Sequence, residues 1–516
     1  MRAAAPMGER PNMGGNTEPS VPTTEGSFLF GGGGMTHPET RLQVAPATRL
    51  LMADMETPIS LFLKLRPLGA RYLLESAEQG ERMGRYSFIG IGAVRRLVSR
   101  KPGISEIVSA EGPTEVLHGS PLDAVRHLMA GFELAGGPDD FPPFYGGAVG
   151  YLGYDLVHYL EPRVPRTPAD DVGWPEAVFV IAQDVVAFDH LTHRVLLVDS
   201  CTDGEAAAAA RLDAIEAAVR GPQPAEAERR PVAEEAATAN LSADAYRAAV
   251  SRAKAHIAAG NAFQVVVSQR LHRPLRAAPF DVYRALRSVN PSPYMFFLDF
   301  AEEGMALAGA SPEMLVRVRG DLIESRATIA GTRPRGRDAA EDLALAAELR
   351  ADPKECAEHV MLVDLARNDV GRVAVPGSVR VPELMAVERY AAVMHMASAV
   401  EGRLLPGRDA FDALAATFPA GTVSGAPKVR AMEILAELEP TRRGPYSGCV
   451  GYFGWNGSLD CCITLRTIAM TGGSAYIQAG AGIVADSDPQ REFEECHHKA
   501  RALMRALDLA EGGLPG

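Results

Sequence analysis

The stretch DPKECAEHVMLVDLARNDVGR, residues 352–372, predicts a helix that presents two carboxylates on one face. Asp352 is suited to the N-cap, and Pro353 is suited to the first helical position. Glu355 and Glu358 follow three residues apart, a spacing at which helical side chains are neighbours. The stretch therefore predicts a capped helix with a paired-glutamate face.

The same pattern returns near the C-terminus in DSDPQREFEECHHKA. Asp488 and Pro489 open this second predicted helix, and Glu492 and Glu495 repeat the spacing. Four carboxylates that face each other repel strongly unless a cation lies between them. Oxygen ligands without a Cys/His set suit Mg²⁺, which also takes water and substrate oxygens and so implies an acidic substrate. Glutamates are also common on solvated helix faces and in capping boxes, so the spacing alone leaves both interpretations open.

Composition and charge restrict the class of protein. The 516 residues include 47% hydrophobic and 23% charged residues, with a formal net charge of −13. This acidic balance argues against nucleic acid or an anionic membrane as the main partner. The six cysteines include no C-x-x-C pair, which suits a reducing cytoplasm better than a zinc site or a disulfide framework. There is no run of 18 apolar residues and no secretory signal, so we expect no membrane span and a cytoplasmic location.

The chain divides by composition into four predicted segments. Residues 1–40 are rich in Gly, Pro, Thr and Ser, which predicts a disordered extension. Residues 41–220 form an N-terminal region, a polar Pro-bearing linker covers 221–240, and a second domain covers 241–510. Strand patterns arrive in groups without a strict βαβ rhythm, so we predict an α+β fold with large antiparallel sheets.

Local patterns place the individual elements. Apolar runs between turn residues predict strands, among them Arg71–Ser76, Glu176–Asp189, Phe263–Leu271 and Leu459–Ala469. Helical periodicity and caps predict the helices Ala339–Arg350, Pro353–Ala366, Ala410–Thr417, Pro427–Glu437 and Pro489–Leu507. The Gly-rich run 146–155 lacks the strand-to-helix setting of a dinucleotide loop, and we interpret it as bends in a sheet.

Further positions have side chains suited to chemistry. In IAGTRPRG, Gly331 and Thr332 offer backbone N–H groups and a hydroxyl to a carboxylate, although basic loops are common. Thr422 precedes a predicted helix whose N-terminus suits an anion or a capped surface turn. His395 lies among apolar residues, where a histidine is more often a core residue than a catalyst. Arg466 interrupts an apolar strand, which indicates pairing with a buried anion of the protein or of a ligand.

In its second half the chain resembles the chorismate-binding enzyme family. The shared motifs keep the family order over residues 245–505: GNAFQVVVSQR, GASPEML, IAGTRPRG, KECAEHVMLVDLARNDVGRV, VMHMASAVEG, FPAGTVSGAPKVRAMEIL, YSGCVGYFGW, DCCITLRT and AGAGIVADSDPQREFEE. The first half adds LLES and RYSFIG, which resemble the N-terminal region of anthranilate synthase large subunits. The resemblance implies antiparallel sheets packed face to face with helices outside, and a regulatory role for residues 41–220.

The resemblance also implies the site residues. The magnesium ligands would be Glu358 and Glu495 directly, and Glu355 and Glu492 through water. The residues holding chorismate would be Gly331, Thr332, Tyr446, Arg466, Gly480, Gly482 and Lys499. Glu313 would be the acid for the departing ring hydroxyl, His395 would act in the later elimination, and Thr422 would line the site.

Two positions separate this chain from other branches of the family. Relatives that add water to chorismate carry a lysine as general base where this chain has Gln264, which cannot take a proton at neutral pH. Relatives that make 4-amino-4-deoxychorismate carry a lysine in place of Ala330. The resemblance thus favours an anthranilate synthase large subunit, with Gln264 among the catalytic positions. Thr328 stands where the family usually has proline, and we expect little consequence because no side-chain role attaches to it.

The implied reaction is attack of ammonia on C2 of chorismate, loss of the 4-hydroxyl and elimination of pyruvate, a lyase reaction of tryptophan biosynthesis. Ammonia would come from a separate glutamine amidotransferase subunit, component II, in a heterotetramer of two large and two small subunits. The alternatives are the aminodeoxychorismate synthase large subunit of the folate pathway and a non-catalytic ligand-binding sensor of the same fold.

The resemblance implies a second ligand site, for the inhibitor L-tryptophan. Its two segments, LLES and NPSPYMF, are far apart in sequence. Carboxylate and hydroxyl groups suit the ammonium of an amino acid, and Pro, Tyr and Met suit an indole. Without the resemblance, the same segments would be a strand end and a Pro-ordered turn. The implied residues are Leu74, Glu75, Ser76, Arg85, Pro293, Tyr294 and Met295.

Overall fold

The computed structural model describes residues 41–76, 84–109, 112–136, 141–166, 169–200, 202–224, 236–389 and 393–513. The predicted extension, residues 1–40, lies outside the described residues, as do residues 225–235 of the predicted linker. Of the described helices, none combines the length and the apolar character that a membrane span requires.

The strands cover both halves of the chain. In chain order they are β1 (Leu42–Val44), β2 (Ala47–Met52), β3 (Ala70–Glu75), β4 (Tyr86–Ile91), β5 (Arg95–Lys101), β6 (Ile104–Ser109), β7 (Glu115–His118), β8 (Phe132–Leu134), β9 (Gly147–Leu152), β10 (Ala177–Ile181), β11 (Asp184–Asp189), β12 (Arg194–Asp199) and β13 (Thr238–Ala239). They continue with β14 (Gln264–Pro274), β15 (Tyr294–Phe300), β16 (Met305–Ser311), β17 (Met314–Arg319), β18 (Leu322–Ser325), β19 (Ala330–Pro334), β20 (Arg380–Arg389), β21 (Val393–Arg403), β22 (Gly425–Ala426), β23 (Cys449–Gly454), β24 (Leu459–Ile463), β25 (Thr467–Thr471) and β26 (Ser474–Ile483).

The helices lie between these strands. They are α1 (Pro58–Leu65), α2 (Pro121–Ala130), α3 (Val157–Leu160), α4 (Glu205–Arg220), α5 (Ala243–Ala258), α6 (Pro279–Val289), α7 (Ala339–Ala351), α8 (Pro353–Gly371), α9 (Ala410–Thr417), α10 (Gly421–Ser424), α11 (Lys428–Leu438) and α12 (Pro489–Gly512). All five predicted helices named above are present, and α8 and α12 each extend five residues beyond their predicted ends.

Two twelve-stranded sheets contain nearly all of the described strands. The first sheet has the order β19-β21-β18-β17-β24-β23-β9-β10-β5-β6-β7, with β20 also paired to β21. The second has the order β13-β14-β26-β25-β16-β15-β3-β4-β11-β12-β2, with β22 also paired to β14. Both sheets combine strands from the predicted segments 41–220 and 241–510. Each sheet therefore extends across the boundary between the two predicted segments. The division of the chain into these two domains stays a prediction.

The two sheets pack face to face with helices on their outer sides. Successive residues of a strand point to opposite faces. In β5, Val98 belongs to a core shared with side chains of the second sheet, and its neighbour Leu97 packs with helical residues instead. Helices α2, α8 and α9 cover the first sheet, and α1, α4, α6, α11 and α12 cover the second. The predicted α+β class and sheet arrangement are confirmed.

Two predicted strands each prove to be two strands in different sheets. The run Glu176–Asp189 contributes β10 to the first sheet and β11 to the second. The run Leu459–Ala469 likewise contributes β24 and β25, and the chain turns at Arg466, whose φ is 47°. Neither turn contains Gly or Pro, so local sequence carries no signal for these changes of sheet.

The Gly-rich run 146–155 lies in a sheet, as predicted, but most of it forms one central strand instead of bends. It forms β9, fully buried between β23 and β10. A Cβ at Gly150 would lie 2.0 Å from the carbonyl oxygen of Val178, so glycine permits the close approach of the neighbouring strand.

Candidate active site and a second cavity

Two capped helices position the four predicted metal ligands. Asp352 Oδ1 accepts a hydrogen bond of 3.0 Å from the backbone N–H of Lys354, at the start of α8. Asp488 Oδ1 accepts one of 2.9 Å from the backbone N–H of Arg491, at the start of α12. Both predicted N-caps are confirmed. The caps satisfy backbone donors in the first turn, which makes these helix starts well defined.

The second glutamate of each helix has a polar partner. Glu358 Oε1 accepts a 2.7 Å hydrogen bond from Gln264 Nε2, at the start of β14. Glu495 Oε1 lies 2.6 Å from Lys499 Nζ, one turn further along α12. A Cβ at Gly482 would lie 2.7 Å from Gln264 Nε2, so the glycine leaves room for this amide. Gln264 therefore acts as a hydrogen-bond donor beside the proposed metal ligand.

The first glutamate of each helix is destabilised as an anion. Burial, followed by the charge of Glu358, raises the pKa of Glu355. Burial also raises the pKa of Glu492, and the charge of Glu495 acts in the same direction. Lys354 of α8 lowers the pKa of Glu492 on α12, so the starts of the two helices are electrostatic neighbours.

These carboxylates fit a hard cation in chemistry, although they are not gathered around one point. Within the described ranges, no group of three or more His, Cys, Asp or Glu side chains is arranged to hold a metal ion. Gln264 and Lys499 supply positive partial or full charge to Glu358 and Glu495. In each pair of glutamates the charge of the second raises the pKa of the first, and a bound Mg²⁺ would relieve that repulsion. Magnesium stays a prediction.

Glu313 is a buried carboxyl group between β16 and β17. It is 3% exposed, accepts a 3.1 Å hydrogen bond from Thr422 Oγ1, and faces the backbone N–H of Ile329 at 3.4 Å. Burial raises the pKa of Glu313 to about 8, against the opposing effect of these two donors. The group is therefore protonated at neutral pH. The helical turn that carries Thr422 packs against α8, since a Cβ at Gly421 would lie 2.2 Å from Leu365 Cδ2.

His395 of β21 is held by the residues of β19. Its Nδ1 lies 3.0 Å from Thr332 Oγ1 and 3.3 Å from the carbonyl oxygen of Gly331. A carbonyl only accepts hydrogen bonds, so the contact with Gly331 favours a proton on Nδ1 and a basic Nε2. Burial is the main cause that lowers the pKa of His395 to about 4, and the charges of Arg466 and Lys499 act in the same direction.

Gly331 connects this histidine to the glutamates. Its φ is +69°, a conformation that favours glycine, and it interrupts the register of β19 with β21. A Cβ at Gly331 would lie 3.0 Å from Glu355 Oε2. The Gly-Thr pair predicted to face the substrate therefore lies between His395 and the first turn of α8.

Arg466 is a half-buried cation that forms no ion pair with a carboxylate of the described residues, although the charge of Glu495 acts to raise its pKa. Its Nη1 donates a 3.2 Å hydrogen bond to the carbonyl of Lys499, and burial lowers the pKa of its guanidinium. Lys499 Nζ donates 2.9 Å to the carbonyl of Gly480 in β26. A Cβ at Gly480 would lie 2.8 Å from Tyr446 Oη. Arg466, Lys499, Gly480 and Tyr446 thus form one contiguous wall.

The predicted catalytic, substrate and metal positions meet at corresponding ends of the two sheets. Strands β19 and β21 of the first sheet contribute the Gly-Thr pair and the histidine, while β14 and β26 of the second contribute the glutamine and two glycines. The hydrogen bond between Gln264 and Glu358 links β14 to α8, and the hydrogen bond from Lys499 to Gly480 links α12 to β26. The roles of individual residues stay predictions.

A second cavity of about 400 Å³ lies away from this site, between the two sheets. All seven residues predicted for the inhibitor line it: Leu74, Glu75, Ser76, Arg85, Pro293, Tyr294 and Met295. Pairing of β3 with β15 joins the two segments, with Glu75 opposite Met295. Two stretches more than 200 residues apart in sequence therefore share one wall.

The buried charges in the cavity wall, Glu75 and Arg317, each have a charged partner in the protein. Glu75 accepts hydrogen bonds from the hydroxyl of Tyr283 and from Arg287 Nε, the latter at 3.2 Å. Burial raises the pKa of Glu75. Arg317 Nε donates 2.8 Å to Asp460 Oδ2, and these two residues line the opposite part of the cavity.

Sequence reasoning missed the pair Arg317 and Asp460 as well as the aromatic residues Phe88, Phe141 and Tyr452 of the same cavity. The sequence did contain a signal for Arg317 and Asp460. Arg317 follows the apolar residues 314–316, and Asp460 is a charge within an otherwise apolar strand, a pattern like the one that singled out Arg466. The partner of Arg317 is a residue of the protein, whereas Arg466 has none among the described carboxylates.

Comparison with known proteins adds the family to this geometry. The family model described as chorismate binding enzyme matches residues 69–505. The matched residues include Glu313 and the glutamates of the two capped helices. The chain is a member of the chorismate-binding enzyme family.

Similar proteins within the family share one name. The chain is 49% identical over 480 residues to anthranilate synthase component 1 of Thermus thermophilus, covering 92% of this chain and 100% of that protein. It is 46% identical over 479 residues to anthranilate synthase component 1 of Acetivibrio thermocellus, covering 90% and 96%. The predicted resemblance to anthranilate synthase large subunits is confirmed.

Solved structures show the same fold. The crystal structure of anthranilate synthase component I from Streptococcus pneumoniae matches with a TM-score of 0.74 at 35% identity, covering 83% of this chain and 95% of that one. The menaquinone-specific isochorismate synthase of Escherichia coli matches with a TM-score of 0.67 at 18% identity, covering 91% and 96%. The second likeness concerns the fold alone.

Proposed function

We propose that the chain is the large subunit of an anthranilate synthase, which aminates chorismate at C2 with ammonia and eliminates pyruvate to give anthranilate. The relatives named anthranilate synthase component 1 support this proposal over nearly the whole chain. The observation that carries it is Glu313, a carboxyl group that burial keeps protonated at neutral pH inside the site. Loss of a ring hydroxyl requires such an acid.

Substrate binding follows from the charges of the site. Chorismate has two carboxylates, and Arg466 is a half-buried cation that forms no ion pair with a carboxylate of the described residues. Tyr446 and Lys499 lie in the same wall and add a hydroxyl and an ammonium. Magnesium, held by Glu358 and Glu495 directly and by Glu355 and Glu492 through water, would neutralise and orient the ring carboxylate when bound.

The proton steps are assigned to two side chains. Glu313 donates its proton to the departing 4-hydroxyl, and Thr422 with the N–H of Ile329 stabilises the carboxylate that remains. Neutral His395, with its Nδ1 directed to the carbonyl of Gly331, accepts a proton at Nε2 in the elimination. Ammonia is already nucleophilic, so Gln264 need not be a base.

Turnover of the purified chain tests the proposal. With chorismate, ammonium salt and Mg²⁺, we expect fluorescent anthranilate together with pyruvate. An aminated ring that accumulates without pyruvate would instead identify an aminodeoxychorismate synthase. Binding of chorismate without turnover would identify a non-catalytic sensor.

The name component 1 implies a second component, and we propose that this component is a glutamine amidotransferase that supplies ammonia. The sequence contains no Cys in a nucleophile-elbow context, so we expect glutamine to support turnover only after such a subunit is added. The expected assembly is a heterotetramer of two large and two small subunits, measurable by light scattering of the mixture. Glutamine-dependent turnover by this chain alone would contradict the partner.

We propose that the second cavity binds L-tryptophan and mediates feedback inhibition. The buried carboxylate of Glu75 and the hydroxyl of Ser76 suit an ammonium group, while Tyr294, Met295 and Phe88 offer an apolar wall for an indole. For inhibition, tryptophan must bind the inactive arrangement more tightly than the active one.

A further inference from the structure

Behind the proposed active site, Ser398 of β21 connects three other segments of the chain. Its hydroxyl lies 2.6 Å from Nε2 of His359 in α8 and accepts a 2.9 Å hydrogen bond from the backbone N–H of Met385 in β20. Its backbone N–H donates 3.0 Å to Thr328 Oγ1, and its carbonyl accepts 2.7 Å from the same hydroxyl. Ser398, His359 and Thr328 have no exposed surface.

The Ser398 hydroxyl has one proton to donate and can also accept hydrogen bonds. The Ser398 oxygen accepts from the N–H of Met385, and among the described residues His359 Nε2 is the one acceptor within reach of the hydroxyl proton, so we assign the proton to that contact. The histidine proton is then on Nδ1, a buried atom without a hydrogen-bond partner among the described residues. A buried donor left unsatisfied destabilises the folded state. The contact between Ser398 and Nε2 of His359 therefore leaves Nδ1 of the same ring unsatisfied, which reduces the stability of the folded protein.

The backbone at Met385 is also strained. Its φ is 54°, a left-handed conformation uncommon outside glycine, and it lies where the register of β20 with β21 shifts between Glu383 and Ala386. Such a conformation persists only where the surrounding structure enforces it. The hydroxyl of Ser398 supplies the acceptor for this N–H.

Each segment that meets at Ser398 carries a proposed functional group. His359 directly follows the proposed metal ligand Glu358, and Ser398 lies three residues after His395. Thr328 directly precedes Ile329, whose N–H faces Glu313. This finding corrects the expectation that Thr328 has no side-chain role. Its hydroxyl makes two hydrogen bonds to a residue 70 positions away.

We propose that His359, Ser398 and Thr328 form a positioning brace, which sets the glutamates of α8 against the strand that carries His395. The brace residues are positioning residues and do not touch substrate. The inference rests on the proposed function, because it assigns the brace a role toward the proposed magnesium ligands. Groups that orient metal ligands typically change metal affinity by about 10- to 100-fold when they are removed.

Ser398→Ala is the first test, with Ser325→Ala as its matched control. Ser325 is also a buried serine of the first sheet, but its hydroxyl donates 2.7 Å to the carbonyl of Leu315 in β17 and has no link to α8. Magnesium is titrated calorimetrically into each protein with chorismate and without ammonia. We expect Ser398→Ala to raise the Kd for Mg²⁺ by about tenfold, while Ser325→Ala leaves it unchanged at a comparable loss of Tm.

A second pair of variants separates the hydrogen bond from the packing. The amide oxygen of His359→Gln can accept the Ser398 proton, and His359→Leu cannot. We expect His359→Gln to keep the wild-type Kd for Mg²⁺ and His359→Leu to resemble Ser398→Ala. At saturating Mg²⁺, turnover of all three should return to within about threefold of wild type, because the brace acts through ligand position.

The wild-type titration distinguishes the two ways of failing. A wild-type protein that binds no Mg²⁺ would overturn the magnesium assignment in the proposed function and this role together. Normal Mg²⁺ binding by wild type, Ser398→Ala and His359→Leu alike, with only Tm reduced, would overturn the brace and leave the proposed function intact.

Discussion

The proposed active site and the second cavity arrange their charges in opposite ways. In the active site, Arg466 has no ion-pair partner among the described carboxylates, and in each glutamate pair the charge of the second residue raises the pKa of the first. In the cavity, Glu75 is bonded to Arg287, and Arg317 is bonded to Asp460. The active site therefore contains unneutralised charge, and the cavity contains almost none.

This difference indicates what each ligand must supply. A buried charge without a partner is costly, so the first site is completed by a ligand that brings opposite charge. The cavity needs little charge from its ligand and offers aromatic and apolar walls instead. Charge-neutralising substitutions should therefore damage catalysis strongly, whereas substitutions in the cavity should change recognition of the inhibitor and little else.

The largest effect is expected from Glu358→Gln or Glu495→Gln. Each removes an anionic ligand of the proposed hard-ion site, and we expect turnover to fall on the order of 10³-fold with little change in Tm. Glu494→Gln is the control, because Glu494 is an exposed neighbour on α12 that bonds Gln490. Steady-state rates with increasing Mg²⁺ and thermal melts give both quantities. Near wild-type turnover of either variant at moderate Mg²⁺ would remove the ligand assignment.

Glu313→Gln should reduce kcat by about 10²- to 10⁴-fold, because it removes the general acid. The pH dependence has a defined sign. Burial raises the pKa of Glu313 to about 8, so wild-type turnover should decrease as the pH rises through that value. A pH–rate profile that stays flat between pH 7 and pH 9 would contradict the acid role.

The same group predicts a pH-dependent stability. The folded protein holds a proton on Glu313 that the unfolded chain has released above its ordinary pKa of 4.5. The free energy of unfolding of the wild type should therefore fall, relative to Glu313→Gln, as the pH rises from 4.5 to about 8. Urea unfolding of both proteins across this range measures the difference.

Ser76→Phe or Met295→Thr should leave turnover within about twofold of wild type and abolish inhibition by tryptophan, since both residues line the cavity. Phenylalanine fills space that the indole would occupy, and threonine removes part of the apolar wall. Inhibition curves up to millimolar tryptophan provide the measurement. Full sensitivity of both variants, or a wild type that ignores tryptophan, would exclude this cavity as the inhibitor site.

The smallest effect is expected from Tyr294→Phe. The hydroxyl of Tyr294 donates 2.9 Å to Asp460 and accepts 3.1 Å from Arg317, but those two residues remain paired at 2.8 Å without it. Because a single hydrogen bond within a retained ion pair contributes little, we expect the tryptophan concentration for half-inhibition to rise about two- to fivefold. A complete loss of inhibition would show that the cavity depends on this charge network after all.

Local signals in the sequence were sufficient for the helices that carry the glutamates. Asp352–Pro353 and Asp488–Pro489 define helix starts through contacts within three residues, so no distant partner is needed. The spacing of the glutamates then places each pair on one helix face. The family motifs added the site residues, and the structure brings them into one region.

Changes of sheet had no local signal. The runs Glu176–Asp189 and Leu459–Ala469 are mostly apolar, because most residues of both resulting strands of each run are buried. Which sheet a strand joins depends on neighbours such as β9 and β4, and these are remote in sequence. Periodicity identifies buried strands but not their partners.

The sequence by itself determined the fold class, the family, the capped glutamate helices and the two segments that line the cavity. Only the tertiary structure decided which charges are paired and which are left for a ligand. Arg317 and Arg466 look alike in sequence, yet one pairs with Asp460 across neighbouring strands and the other forms no ion pair with a described carboxylate. Thr328 likewise acquires its role from Ser398, 70 residues away. The physical reason is that hydrogen bonds and ion pairs are short-range, so long-range chain topology determines which partners meet.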